Sequence, residues 1–128
     1  MPDWAWVGRE MAVAAHAEQL AEHGGAEGIR DLGLLESALA RPQNQVAYGQ
    51  PDLAALAAAY AFGIARNHPF VDGNKRTAAV VSVAFLLLNG SDCTATPAEL
   101  SVAFLALAAG ELTEDEMADW FRRHIVAR

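Results

Sequence analysis

Two stretches of this chain, Leu53 to about Arg66 and roughly Arg76 to Leu88, are apolar with few interruptions. The first is nearly all Ala, Leu and aromatic residues, so a helix made from it must bury most of its circumference. The second carries Val80, Val81 and Val83, which leave a strand reading open. Its 11-residue block from Ala78 to Leu88, broken only by Ser82 and ended by Asn89-Gly90, favours a helix with a glycine stop. Eleven residues fall short of the ~20 that a membrane helix needs, so no membrane span or membrane partner is expected. Alanine supplies 28 of the 128 residues and proline five, and apolar-polar alternation is scarce, which makes the whole chain read as helical.

Four more helices complete an all-α reading. One runs from Arg9 to His23, with Met11, Ala14, Ala15 and Leu20 on one face and Gly24-Gly25 as its stop. Another runs from about Leu32 to Arg41, with Asp31 as N-cap and Pro42 beyond its end. From Pro42 to Pro51 the composition suits a surface loop, with Gln45 to Tyr48 able to extend as a short strand. Asp52 opens the first apolar helix. The last two helices have the clearest starts, because Thr96-Pro97-Ala98-Glu99 and Thr113-Glu114-Asp115-Glu116 are both capping boxes, the first with Pro at N1. Arg122, Arg123 and His124 then suit the C-terminal pole of the last helix.

A chain of 128 residues is long enough to bury a core without metals or staples, and residues 1–128 read as one domain. Cys93 is the sole cysteine, so no internal disulfide is possible. Pro2, Asp3 and Trp4 do not resemble a signal peptide, and a cytoplasmic location is expected. Nine basic against sixteen acidic side chains give a net charge of −7, which disfavours direct nucleic-acid binding.

One short basic cluster stands against that balance. Between the two apolar helices lies Asn67-His68-Pro69-Phe70-Val71-Asp72-Gly73-Asn74-Lys75-Arg76-Thr77. His68 and Asp72 are four apart, a helical metal-pair spacing, but Pro69 and Gly73 argue for a loop. Gly73 permits a tight turn, Asn74 offers amide donors, Lys75 and Arg76 add two cations, and the following helix aims its unpaired N–H groups back at the loop. Together they make a nest for an anion. It fits the phosphates of a nucleotide, with Arg76 forked across two oxygens, Asp72 on the accompanying Mg²⁺ and His68 available as a base. Taken singly, each residue has an ordinary explanation, such as a turn pair at Asp72-Gly73 or a solvated helix start at Lys75-Arg76. What separates the cluster from those is position: two cations at a helix N-terminus oppose the macrodipole unless an anion is bound.

The segment from His68 to Thr77 resembles the signature of the Fic/Doc family, His-x-Phe-x-Asp/Glu-Gly-Asn-Gly/Lys-Arg, at every fixed position. Further likeness to the death-on-curing branch lies in Gly28-Ile29-Arg30-Asp31, Leu34-Leu35-Glu36-Ser37-Ala38, Arg41-Pro42, Phe85-Leu86 and Asn89-Gly90. The resemblance implies a helical Fic fold, about six helices around a buried central pair. It implies His68 as general base, Asp72 as Mg²⁺ ligand, Gly73 and Asn74 as phosphate cradle and Arg76 as phosphate clamp. Lys75 replaces the glycine usual in members that transfer AMP. It looks like the branch that binds ATP in the reversed sense and passes on the γ-phosphate, which implies a Ser/Thr protein kinase, with adenylyl transfer or a non-catalytic binding module as alternatives. The family's self-inhibitory helix, Ser/Thr-x-x-x-Glu-Gly/Asn, has no match in this sequence. By resemblance, restraint then comes from an antitoxin helix supplied in trans, and the target is a translation factor such as elongation factor Tu.

Other candidates carry less. His16, His23 and His124 have no zinc-like spacing and read as surface or capping residues. Cys93 reads as inert. Trp4, Trp6 and Trp120 read as core or terminal anchors, and Tyr60, Phe62 and Phe104 as helix packing. Tyr48 lies in the loosened segment, where Fic proteins carry a flap that aligns the target backbone. Arg66 has two readings, as a phosphate contact or as a cap for the first apolar helix.

Overall fold

The computed structural model describes residues 3–128. Six helices and two short strands follow in the order α1 (Arg9–His23), α2 (Leu32–Tyr48), α3 (Leu53–Asn67), α4 (Asn74–Leu88), β1 (Ser91–Cys93), α5 (Pro97–Ala108), α6 (Glu114–His124) and β2 (Ile125–Ala127). The chain is predominantly helical, as its alanine content requires. No helix among the described residues is long and apolar enough to cross a membrane.

Ten of the fifteen residues of α3 are buried, and α2, α4, α5 and α6 all pack on it. Its small residues allow close approach. A Cβ on Gly63 would lie 3.0 Å from both Cα and Cβ of Ala38 in α2, so the two backbones meet there at a separation only glycine permits. The buried stripe of α2, Leu35, Ala38, Leu39 and Pro42, has the spacing of one helical face. α4 is less enclosed than its composition suggests. It buries Ala78, Val81, Phe85 and Leu86, leaves Ala79 and Val80 half-buried, and exposes Leu87 and Leu88. The enclosed centre is therefore α3, packed equally by α2 and α4.

The expected caps form. Asp31 accepts from Leu34 N at 3.0 Å and Asp52 from Ala55 N at 2.9 Å, and both Thr-Glu capping boxes close reciprocally. Asp52 also pairs with Arg122 of α6, whose guanidinium holds the carboxyl below its ordinary range. Tyr60 is buried, and its hydroxyl accepts from Val7 N at 2.9 Å, securing the N-terminal segment. Trp4 and Trp6 flank Phe85 with ring centroids 6.2 and 5.8 Å away.

Two expectations are corrected. α2 does not end at Pro42 but continues to Tyr48, replacing the loop or strand expected over Pro42–Pro51. The lost proline hydrogen bond is offset from outside the helix: Arg41 and Gln45, one turn apart, both grip Glu114 at the start of α6. Two strands also form where helices alone were expected. β1 and β2 pair antiparallel, with Ser91 opposite Ala127, Asp92 opposite Val126 and Cys93 opposite Ile125. At three residues each they are too short to show alternation.

Candidate active site

α3 terminates at His68, which caps it in the left-handed conformation at φ 50°, ψ 56°. Among the described residues it is the only one besides glycine at positive φ. Such a conformation costs an L-residue roughly 1–2 kcal/mol, so the surroundings must enforce it. Arg30 does so, donating from Nε to His68 O at 2.7 Å and from Nη2 to Asn67 O at 2.8 Å, a cation on the negative end of α3. The backbone joins in. Arg30 N and Asp31 N donate to Pro69 O at 2.7 and 3.1 Å, and Val71 N donates to Gly28 O at 3.0 Å, so Ile29 and Phe70 form an isolated antiparallel bridge. The α1–α2 connection is thus stitched along the loop 68–71. It is this segment, and not Pro42–Pro51, that runs extended beside the site.

Beyond the bridge the loop turns inward on buried Phe70. Asn74 closes it, accepting from Phe70 N at 2.9 Å and donating to Phe70 O at 3.0 Å. The Asn74 side-chain amide thus holds the loop with its oxygen and one of its two N–H groups while the residue also lines the cavity. His16 is a second correction. It is not a surface residue but 5% exposed, stacked on Phe70 at 3.9 Å between ring centroids and 7° between planes, with Nε2 2.8 Å from Asp72 O. Asp72 itself accepts from Gly73 N at 2.8 Å and from Ala26 N at 3.3 Å. A Cβ on Gly25, at φ +128°, would come within 2.9 Å of Asp72 Oδ2.

Gly73, at φ +75°, then turns the chain into α4, which starts at Asn74, two residues earlier than expected. No side chain caps this helix. Thr77 N reaches Gly73 O, and the N–H groups of Asn74, Lys75 and Arg76 have no acceptor among the described residues. Lys75 and Arg76 are exposed in this first turn and have no carboxylate partner among those residues.

These residues share one cavity of about 700 Å³. His68, Asp72, Gly73, Asn74, Lys75 and Arg76 all line it, so the structure brings the whole predicted set together. Gln19 and His23 of α1 line it as well. A mainly apolar part of the lining comes from Ala79 and Val80 of α4 with Pro97, Leu100, Phe104 and Leu105 of α5. Asp72 is its single carboxylate. Among the described residues no three His, Cys, Asp or Glu side chains are grouped to hold a metal. One carboxylate suits a Mg²⁺ that takes its remaining ligands from phosphates and water, not a resident ion.

Arg66 and Tyr48 lie elsewhere. The Arg66 guanidinium sits 5.3 Å over the Phe62 ring and beside Gly110, and Tyr48, 92% exposed, ends α2 away from the cavity. Burial pushes the Cys93 thiol up, away from thiolate chemistry. His124 bonds Trp120 O through Nδ1 at 2.7 Å, a cap on α6. Sequence reasoning missed His16 and the α5 wall. A histidine four residues before a leucine carries no local sign of facing a loop 56 positions away.

The Fic/DOC family model matches residues 6–86 of this sequence, well over half of it and including the entire loop. The chain belongs to the Fic/DOC family. Two relatives extend the likeness. The "Protein kinase doc" of Escherichia phage P1 is 36% identical over 115 residues, 89% of this chain and 90% of that protein. The "Toxin Doc" of Mycolicibacterium smegmatis is 51% identical over 70 residues, 52% of this chain and 53% of that protein. The Fic/DOC match ends before α5, so the apolar wall at Leu100 and Phe104 lies outside the matched residues.

Proposed function

We propose that this chain is a toxin of the Doc branch that moves the γ-phosphoryl group of Mg-ATP onto a hydroxyl of a target protein. The observation that carries the reading is the N-terminus of α4: uncapped, doubly basic and facing a cavity whose rim holds His68. Three free N–H groups and two cations lie in one helical turn that lines the cavity, an arrangement suited to spread negative charge such as a transferring phosphoryl group carries. The phage relative's name, a protein kinase, and the lysine at position 75 both favour phosphoryl transfer.

In this reading His68 accepts the proton of the target hydroxyl as its oxygen bonds to the γ-phosphorus. The bond from that phosphorus to the β–γ bridging oxygen breaks, and ADP leaves. Lys75, Arg76 and the backbone of Gly73 and Asn74 hold the phosphates, and Asp72 holds the Mg²⁺, whose charge offsets theirs. The left-handed backbone at His68 fixes where its Cβ stands and so the region its ring can reach, which matters because in-line transfer requires reacting atoms within roughly 3–3.5 Å. Residues 1–128 act as one cytoplasmic domain. Restraint comes from an antitoxin helix seated on the apolar wall between α4 and α5, and the target is a translation factor, with elongation factor Tu the first to test.

The decisive experiment supplies ATP labelled separately at the α- and γ-phosphates to the protein with elongation factor Tu or cell lysate. Label from the γ position with release of ADP is expected, and Lys75→Gly should lose it. Incorporation of α label with release of pyrophosphate would replace kinase chemistry with adenylyl transfer.

A further inference from the structure

His16 is a buried, polar residue on an otherwise alanine-rich helix, and nothing in the reaction above uses it. Its position is specific. The ring lies flat on Phe70, the residue that plugs the loop into the core, and Nε2 meets the carbonyl of Asp72 at 2.8 Å. A carbonyl oxygen only accepts, so Nε2 carries the proton and donates. The peptide held in this way joins Asp72 to Gly73, the hinge at φ +75° from which the free N–H groups of α4 project. The same ring lies 3.8 Å from where a Cβ on Gly73 would sit, so it also walls the turn sterically. Asn74 fixes the loop from within, through Phe70; His16 is the grip on it from α1.

We propose that His16 is a positioning residue: its Nε2–H bond to Asp72 O sets the orientation of the 72–73 peptide and with it the aim of the α4 N-terminus and the Asp72 carboxylate. The stack on Phe70 places the ring, and the hydrogen bond does the positioning. As far as this claim concerns nucleotide binding, it rests on the function proposed above.

Two variants separate ring from donor. His16→Phe keeps a flat ring against Phe70 and loses the donor; His16→Gln keeps a donor and loses the ring. In ligand-free protein labelled with ¹⁵N, the amide signals of Gly73, Asn74, Lys75 and Arg76 should shift or broaden in His16→Phe, while those of β1 and β2 stay in place. In His16→Gln they should return toward the wild-type positions. Calorimetry with Mg-ATP should then give about a tenfold weaker Kd for His16→Phe and one within about threefold for His16→Gln, as expected for one specific hydrogen bond. Loop amides unmoved in His16→Phe would overturn the proposal. Should His16→Phe fail to fold, His16→Gln decides alone, since loop amides displaced in it would mean that the ring and not the bond holds the loop. Wild-type protein that fails to bind Mg-ATP, with loop amides still displaced in His16→Phe, would remove the nucleotide reading and leave the positioning of the loop in place.

Discussion

The N-termini of α4 and α6 solve the same physical problem in opposite ways. Each helix begins with N–H groups that its own backbone cannot satisfy. In α6 the chain closes the end itself: Thr113 accepts from Glu116 N, Glu116 reaches back to Thr113 N, and Glu114, Asp115 and Glu116 set negative charge against the dipole. In α4 nothing closes it. The cap is a glycine, the first turn holds no acidic residue, and Lys75 and Arg76 add positive charge to an end already positive. α5 resembles α6, with its own box at Thr96 and Glu99. The end of α4 is thus left without the charge compensation that the other two helices supply for themselves, which is the feature the proposed anion site rests on.

The contrast can be broken most severely at the reaction itself. His68→Ala leaves the α4 end intact and removes the proposed base, so label transfer should fall by roughly 10²–10⁴-fold while the calorimetric Kd for Mg-ATP changes little. Transfer near the wild-type rate would leave the open helix end without a catalytic purpose. Next comes conversion of one end into the other. Lys75→Glu gives α4 an acidic first turn like that of α6; nucleotide binding should weaken by at least about tenfold while the helix gains roughly 0.3–1 kcal/mol against urea. A variant that loses both binding and stability would show that Lys75 supports the fold.

The closed ends predict the reverse pattern. Thr96→Ala should cost about 1 kcal/mol in urea unfolding and leave Mg-ATP affinity untouched. The smallest effect is one of pH. Hydrogen bonds from Thr96 and proximity to His124 hold the Glu99 carboxyl below its ordinary value of 4.5. Because its folded value is depressed, the box contributes stability above that ordinary value and loses it as pH falls through the lower one. Hydrogen exchange at Thr96 N should therefore quicken in that acid range relative to α4, which has no carboxylate cap to titrate.

What could be read from sequence follows the reach of the interactions involved. The capping boxes are local, and Thr96, Thr113, Asp31 and Asp52 cap where their neighbours indicate. The candidate site residues lie within nine consecutive positions, so His68 and Arg76 read as one cluster from sequence alone. Long-range support was not legible. The continuation of α2 through Pro42 depends on Glu114, more than seventy residues away; His16 depends on α1 lying across a loop 56 residues downstream. In sequence Arg30 stands only as one residue of the Gly28-Ile29-Arg30-Asp31 likeness, and only the fold puts its guanidinium on the end of α3.

The α5 part of the cavity has a consequence in time. Leu105 follows Arg76 by 29 positions, so during synthesis His68 through Arg76 leave the ribosome before the α5 lining of their cavity exists. At about 5–20 residues per second the interval is a few seconds. Through it the signature is complete as text while the cavity lacks its α5 lining, and a chain arrested before α5 should carry His68 through Arg76 without the apolar surface of Pro97, Leu100 and Phe104.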